Sequence, residues 1–279
     1  MLLGCRRESG RIKRAEYYMK MLEPLKALSV LAEDSSAVNL TMMAKINFKI
    51  DHPMQAIPII EKLVKCGPSY QEKGIKMLSD YAERAKKTYR DYVAAICLLK
   101  ILEIDPEYDL GEDYGFLGNW FYNREDYEKA IEFYNKFLME DSSAIQIRLK
   151  LAQSYEKTGD YGDAYQVLDA GNEISKDWDI KYNLGKISFM LGKEYFNNGN
   201  VAKAEELFRR TIRLGLPEVL VDDAYFYLGD IYFSEGKYSR AIEYYRKVED
   251  LNPFSSNRIV RKAKKRIDVC KKLYRGEKQ

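Results

Sequence analysis

Residues Tyr225–Pro253 read YFYLGDIYFSEGKYSRAIEYYRKVEDLNP, and the spacing inside this stretch decides the fold. Gly229 and Ala241 stand 12 apart, Gly236 lies between them, and Pro253 follows after another 12. The same step joins Gly118 to Ala130, Ala152 to Ala164 and Gly192 to Ala204. Further upstream, Ala44, Ala56 and Pro68 keep the 12 and 12 spacing. The leading members of the four later pairs are 34, 40 and 37 residues apart, so the chain is built from units of nearly constant length. The longer steps predict longer helices or longer loops between units.

Each unit is expected to be two antiparallel helices joined by a short turn. Glycine inside a helix costs about 1 kcal/mol relative to alanine, so a recurring helical glycine needs an offsetting gain. Close approach of the second helix supplies one, with the paired alanine as the other small surface. Tyr155 and Leu168, Tyr195 and Phe208, and Tyr232 and Tyr245 fill the space on either side. Gly159, Gly199 and Gly236 are placed for the left-handed backbone that ends a helix. Asp105-Pro106 and Asn252-Pro253 close second helices, because the residue before proline avoids the α region.

Leu228-Gly229, Tyr232, Gly236, Tyr238, Ala241, Tyr245 and Pro253 occupy the places that a tetratricopeptide repeat reserves for its fixed residues, and the chain resembles that family. The resemblance implies an all-α protein: a right-handed superhelical solenoid of antiparallel helix hairpins with a C-terminal capping helix. The expected organisation is a flexible tether over 1–14, an array over 15–256 and a basic capping helix and tail over 257–279. The clearest repeats are expected near 37–70, 111–144, 145–178, 185–218 and 222–255. An irregular one covers about 72–107, where either Ala94 or Ala95 could take the paired position.

In this family the first helices of successive hairpins line a concave groove. Carried onto this chain, the groove positions are Asn119, Tyr122 and Asn123, then Gln153, Glu156 and Lys157. Phe189, Lys193, Phe196 and Asn197 follow, then Phe226, Asp230, Phe233 and Ser234. Amide side chains can bond a peptide backbone through donor and acceptor alike. Phe189, Phe196, Phe226 and Phe233 are expected to be exposed as apolar anchors, where binding energy concentrates; the alternative is that some of the groove residues pack against the neighbouring helix or the cap. The implied function is a non-catalytic scaffold that grips a peptide or helix of another protein, with assembly of a bacterial envelope complex as the expected setting. Members that clamp a C-terminal carboxylate need a particular set of Lys, Asn and Arg. Asn119 and Lys186 match two of those places, but Lys150 and Met190 stand where Asn and Arg belong, so the clamp is incomplete.

Composition narrows the alternatives. The 279 residues have a mean hydropathy of −0.48, and no run of 18 apolar residues is present to span a membrane. The net charge of +3 is unevenly placed: residues 257–279 carry +8, residues 1–26 carry +4, and the rest carries −9. Ile259, Ala263, Ile267, Cys270 and Tyr274 keep helical spacing through the basic segment, as a solenoid cap with a polar outer face would. Its charge is expected to be a solvated face. The competing reading is a binder of an anionic surface or nucleic acid, although no aromatics interleave the cluster as stacking platforms would.

Leu2-Leu3-Gly4-Cys5 resembles the end of a bacterial lipoprotein signal, which makes Cys5 a candidate lipidation site and the cell envelope the favoured location, with the cytoplasm as the alternative. The charged start and 7–15-residue apolar stretch of such signals are missing before it; a recorded start downstream of the true one would account for that. Cys97 and Cys270 fall on apolar helical positions and are expected to be packing residues. The single histidine, His52, precedes Pro53 in a turn and has no ligand-spaced companions. Phosphate-binding, dinucleotide and nucleophile-elbow motifs are missing, so neither catalytic residues nor a cofactor or metal are expected.

Overall fold

The computed structural model describes residues 2–252 and 258–276, with side chains for 10–252 and 258–275. Those residues form fifteen helices and no strand: α1 (Leu2–Lys20), α2 (Pro24–Leu31), α3 (Ala37–Lys49), α4 (Pro53–Val64), α5 (Pro68–Lys87), α6 (Asp91–Ile104), α7 (Asp113–Tyr122), α8 (Tyr127–Glu140), α9 (Ile145–Thr158), α10 (Tyr161–Ile174), α11 (Trp178–Asn197), α12 (Val201–Leu214), α13 (Glu218–Ser234), α14 (Tyr238–Leu251) and α15 (Arg258–Gly276). They group as seven hairpins followed by α15. The chain divides into two compact units, Met1–Trp120 and Phe121–Gln279, with the boundary inside α7.

One turn geometry recurs in all seven hairpins. Leu22, Asp51, Tyr89, Glu125, Gly159, Gly199 and Gly236 have φ of 59°, 65°, 57°, 63°, 91°, 77° and 73°. After each of them, the next residue's N–H donates to the carbonyl five residues back at 2.8 to 3.1 Å, as from Asn200 to Tyr195 and from Glu23 to Tyr18. This pattern satisfies carbonyls that a helix end leaves open. Glycine takes the left-handed position freely, and it does so only in the last three hairpins.

The small-residue pairs hold the same register around every turn. Seven residues before the left-handed position stand Ala15, Ala44, Ala82, Gly118, Ala152, Gly192 and Gly229, all buried. Five residues after it stand Ala27, Ala56, Ala94, Ala130, Ala164, Ala204 and Ala241, all 0% exposed. Ala94, paired with Ala82, therefore takes the position that the sequence left open. Ala15 and Ala27 extend the array into a first hairpin, α1–α2, that the repeat spacing alone did not reveal: the step from Ala15 to Ala44 is 29 residues, shortened by an α2 of only 8. The backbone of Leu2–Lys20 is helical where a tether over 1–14 was expected. Cys5 lies within α1, and its side chain is outside the described residues.

The vacancy left by a helical glycine is taken up differently from the expected glycine–alanine contact. A Cβ on Gly229 would lie 2.5 Å from Cε1 and 2.6 Å from Cδ1 of Tyr245, and one on Gly192 would lie 3.0 Å from Cε1 of Phe208. The ring sixteen residues later, rather than the alanine, fills the space. Where the leading residue is alanine, the residue sixteen on is aliphatic: Leu31, Ile60, Leu98 and Leu168, each 0–1% exposed. In these six hairpins a large ring accompanies glycine and an aliphatic side chain accompanies alanine, as close packing requires.

The extra residues between later repeats lengthen first helices. α9 has 14 residues, α11 has 20 and α13 has 17. α6 ends at Ile104, with Asp105 extended before Pro106. α14 ends at Leu251; Pro253 lies outside the described residues. In the first unit, Ala15, Ala27, Leu31 and Ile46 form one core cluster, and Tyr81 stacks on Phe48 with ring centroids 4.3 Å apart. In the second, each hairpin packs on the next, and the first helices α9, α11 and α13 also touch in series and reach α15. Val260, Ala263, Ile267 and Cys270 of α15 join Tyr245 and Val248 of α14 in one core, so α15 caps the unit.

Candidate functional site: the groove closed by the cap helix

The inner layer of the second unit is made by α9, α11, α13 and α15. At its C-terminal end lies an open cavity of about 540 Å³. α11 contributes Phe189 and Lys193, and α13 contributes Asp223, Phe226, Tyr227 and Asp230. α15 contributes Ile259, Lys262, Lys265, Arg266 and Val269. α15 can wall the cavity and cap the core together because its two stripes are offset by one residue. Positions 260, 263, 267 and 270 are buried in the core, while 259, 262, 266 and 269 recur at helical spacing on the adjoining face.

The floor is aromatic, made by Phe189, Phe226 and Tyr227. Outside the lining, Phe208 stacks on Tyr227 at 5.1 Å with an interplanar angle of 16°, and Phe189 and Phe196 meet Tyr227 edge-on at 5.8 and 5.5 Å. Phe189 is 5% and Phe226 7% exposed, so the two are not the free anchors expected from the sequence. The neighbouring first helix covers Phe189, and α14 with α15 covers Phe226. Phe196 and Phe233 are half-buried, the latter packed edge-on against Tyr238 at 5.7 Å with the Arg266 guanidinium over its face at 5.0 Å.

The polar groups sort into those already paired and those still available. The Asp230 carboxylate accepts from the Tyr245 hydroxyl at 2.6 Å and pairs with Arg266 Nε at 3.3 Å. Burial pushes the Tyr245 phenol well above its usual range, and its bond to Asp230 adds to the effect. Burial, then the neighbouring charge of Asp222, raises the Asp223 carboxyl, with Lys193 and Lys262 acting against them. Lys193 stands over the Phe189 ring at 5.7 Å and Lys262 over Phe226 at 6.0 Å. Among the described residues, Lys193, Lys262 and Lys265 form no ion pair.

Farther along the same layer, expected groove residues are engaged with one another. Tyr122 donates to Gln153 Oε1 at 3.4 Å, and Lys186 pairs with Glu156 at 2.5 Å, so the one lysine that matched a carboxylate clamp is already neutralised. Asn123, Lys157, Asn197 and Ser234 are exposed, while Asn119, in the first unit, is half-buried. The structure thus brings Phe189, Lys193, Phe226 and Asp230 of the expected set into one cavity. The residues missed from the sequence are Tyr227, Asp223 and the α15 wall; the offset stripe of Ile259, Lys262, Arg266 and Val269 was the available signal. Cys97 and Cys270 are buried; burial pushes the Cys97 thiol up to about 12 and raises Cys270 too.

Serial hairpins with a repeated turn, matched small and large core positions and a lined inner layer define a helical-repeat scaffold. Models described as tetratricopeptide repeat match residues 123–187 and 189–256, so the second unit carries tetratricopeptide repeats. The tetratricopeptide repeat protein 21 homologs of Caenorhabditis briggsae and Caenorhabditis elegans are 25% identical to it over 158 residues, 57% of this chain. The chain spans 11% of the length of those curated relatives. Among solved structures, the C-terminal part of a TPR repeat-containing protein from Cytophaga hutchinsonii is 15% identical, covering 92% of this chain and 99% of that one with a TM-score of 0.45. A TPR repeats protein from Bacteroides fragilis is 15% identical, covering 71% and 98%, with a TM-score of 0.47.

Proposed function

We propose that the second unit binds a segment of another protein, a peptide or a helix, along the layer formed by α9, α11, α13 and α15. The observation that carries this reading is the cavity of about 540 Å³ in which an aromatic floor meets lysines that form no ion pair among the described residues. Pockets of about 300–1,000 Å³ suffice to bury a compact ligand, here about two to four residues of a longer segment. An apolar centre with a polar rim is the usual anatomy of a protein-binding patch. No reaction is assigned to the site: arrays of this family are generally non-catalytic scaffolds, and the function is binding.

A photo-crosslinking amino acid placed in the full chain tests the reading. Replacing Lys193 or Val269, both in the cavity wall, should trap one discrete protein adduct in cells. Replacing Asp163, exposed on the second helix α10, should not trap it. The same adduct from all three positions, or none from Lys193 and Val269, would overturn the assignment of the groove.

A further inference from the structure

We infer that the cavity at the C-terminal end of the groove selects an acidic segment of the partner protein, one that places a large apolar side chain between carboxylates. The inference rests on the peptide-binding reading and names the chemistry the groove would take.

The charge balance of the wall points to it. Of six charged residues around the cavity, Asp230 and Arg266 neutralise each other at 3.3 Å, and Asp230 also accepts from Tyr245. That leaves Lys193, Lys262 and Lys265 against Asp223. Lys262 and Lys265 are exposed on α15, while Lys193 is half-buried across the cavity on α11. Three ammonium groups from two helices thus rim one opening, none paired with a carboxylate among the described residues. The other ion pair on α15, Lys264 with Glu249 of α14 at 4.0 Å, involves none of these three lysines.

The floor beneath these lysines supplies the second requirement. Tyr227 is half-buried, Ile259 is half-buried and Val269 is 42% exposed, so apolar surface remains open inside the ring of charge. A segment of carboxylates alone would leave that surface wet, and an apolar segment alone would bury three lysine heads without partners, which is costly. A segment carrying both satisfies both. Such complementarity steers association and excludes basic partners. It also makes α15 more than a cap, because two of the three free lysines and two of the apolar contacts belong to it.

Fluorescence anisotropy with the full chain tests this, using as probe a labelled decapeptide of glutamates flanking two central leucines. It should bind saturably, and affinity should fall about tenfold or more when glutamine replaces every glutamate, when alanine replaces both leucines, or when salt is raised to about 0.5 M. Lys262→Glu with Lys265→Glu should abolish binding while the helical circular dichroism stays unchanged, and should acquire binding to the peptide with lysine in place of glutamate. Equal binding of the alanine-substituted peptide, or of a single-stranded oligonucleotide lost in the same variant, would reduce the site to bare charge and overturn the inference. Sedimentation showing that the chain's own acidic body is the occupant, with dimers lost in the variant, would overturn it too. If no acidic peptide binds while the Lys193 and Val269 crosslinks persist, the groove reading stands and this specificity falls; if both fail, both fall.

Discussion

Substituting by alanine the helical glycines that face an aromatic ring should give a graded series whose order is set by that ring. Of these, Gly229→Ala is the severe case. Its Cβ would lie 2.5, 2.6 and 2.9 Å from Cε1, Cδ1 and Cζ of Tyr245, whereas carbons settle at about 3.5–4.0 Å, so ring and helix must part by about 1 Å. Tyr245 cannot yield cheaply. It is 0% exposed, its ring lies 5.4 Å from that of Phe226, and its hydroxyl is bonded to Asp230 at 2.6 Å. Overpacking costs about 1–3 kcal/mol, and a weakened buried hydrogen bond about 1 kcal/mol more. Alanine returns about 1 kcal/mol of helix propensity, leaving a net loss of about 1–3 kcal/mol. Gly192→Ala, with its nearest ring atom at 3.0 Å, should lose less. Gly162→Ala in α10, with nothing within 4 Å, should be neutral or stabilised by up to about 1 kcal/mol. Urea unfolding followed by circular dichroism reads the series, and Gly229→Ala should lower the midpoint of the transition involving the C-terminal hairpin by about 0.5–1 M. Repeat arrays unfold in segments, so the same transition must be compared across variants. Adding Tyr245→Leu should restore part of the loss, giving a favourable coupling in a double-mutant cycle. A neutral Gly229→Ala, or an order in which Gly162→Ala is worst, would refute the exchange of volume between glycine and ring.

Three other outcomes follow from local chemistry. Tyr89→Gly and Glu125→Gly replace exposed side chains held in left-handed backbone; relief of about 1–2 kcal/mol, less the unfolded-state entropy of glycine, should stabilise each variant by about 0.5–1 kcal/mol, measured by thermal and urea unfolding. Iodoacetamide at pH 8 should label exposed Cys66 quickly and leave buried Cys97, its thiol pushed up to about 12, to react only as the chain opens; mass spectrometry of the digest distinguishes them. The hydroxyl of Tyr232 donates to Glu205 at 2.6 Å and, with Arg209, holds its carboxyl below the usual range. A carboxyl depressed in the folded chain stabilises it above its unfolded value and loses that contribution as pH falls through the folded one. Glu205→Gln should therefore cost about 1 kcal/mol at pH 7 and progressively less on titration toward pH 3, read as converging unfolding midpoints.

What the sequence determined by itself is what is local and periodic. The 12-residue step from Gly192 to Ala204 and from Gly229 to Ala241, with Gly199 and Gly236 between, dictates helix, left-handed turn and helix, because helix geometry and backbone sterics act over a few residues. The same logic put Asp105 at a helix end before its proline. Four hairpins carry their turn without glycine, at Leu22, Asp51, Tyr89 and Glu125, where the fold rather than the residue imposes the backbone. There the sequence signal thins, and the short α2 hid the first hairpin altogether. Only tertiary structure decided which side chains remain free. Phe189 and Phe226 occupy positions that could have been groove anchors, but the adjoining helices and α15 cover them, while the same α15 brings Lys262 and Lys265 to face Lys193 across 69 or more residues of chain. Exposure and charge balance depend on what a distant segment lays over a site, and no spacing within one hairpin encodes that.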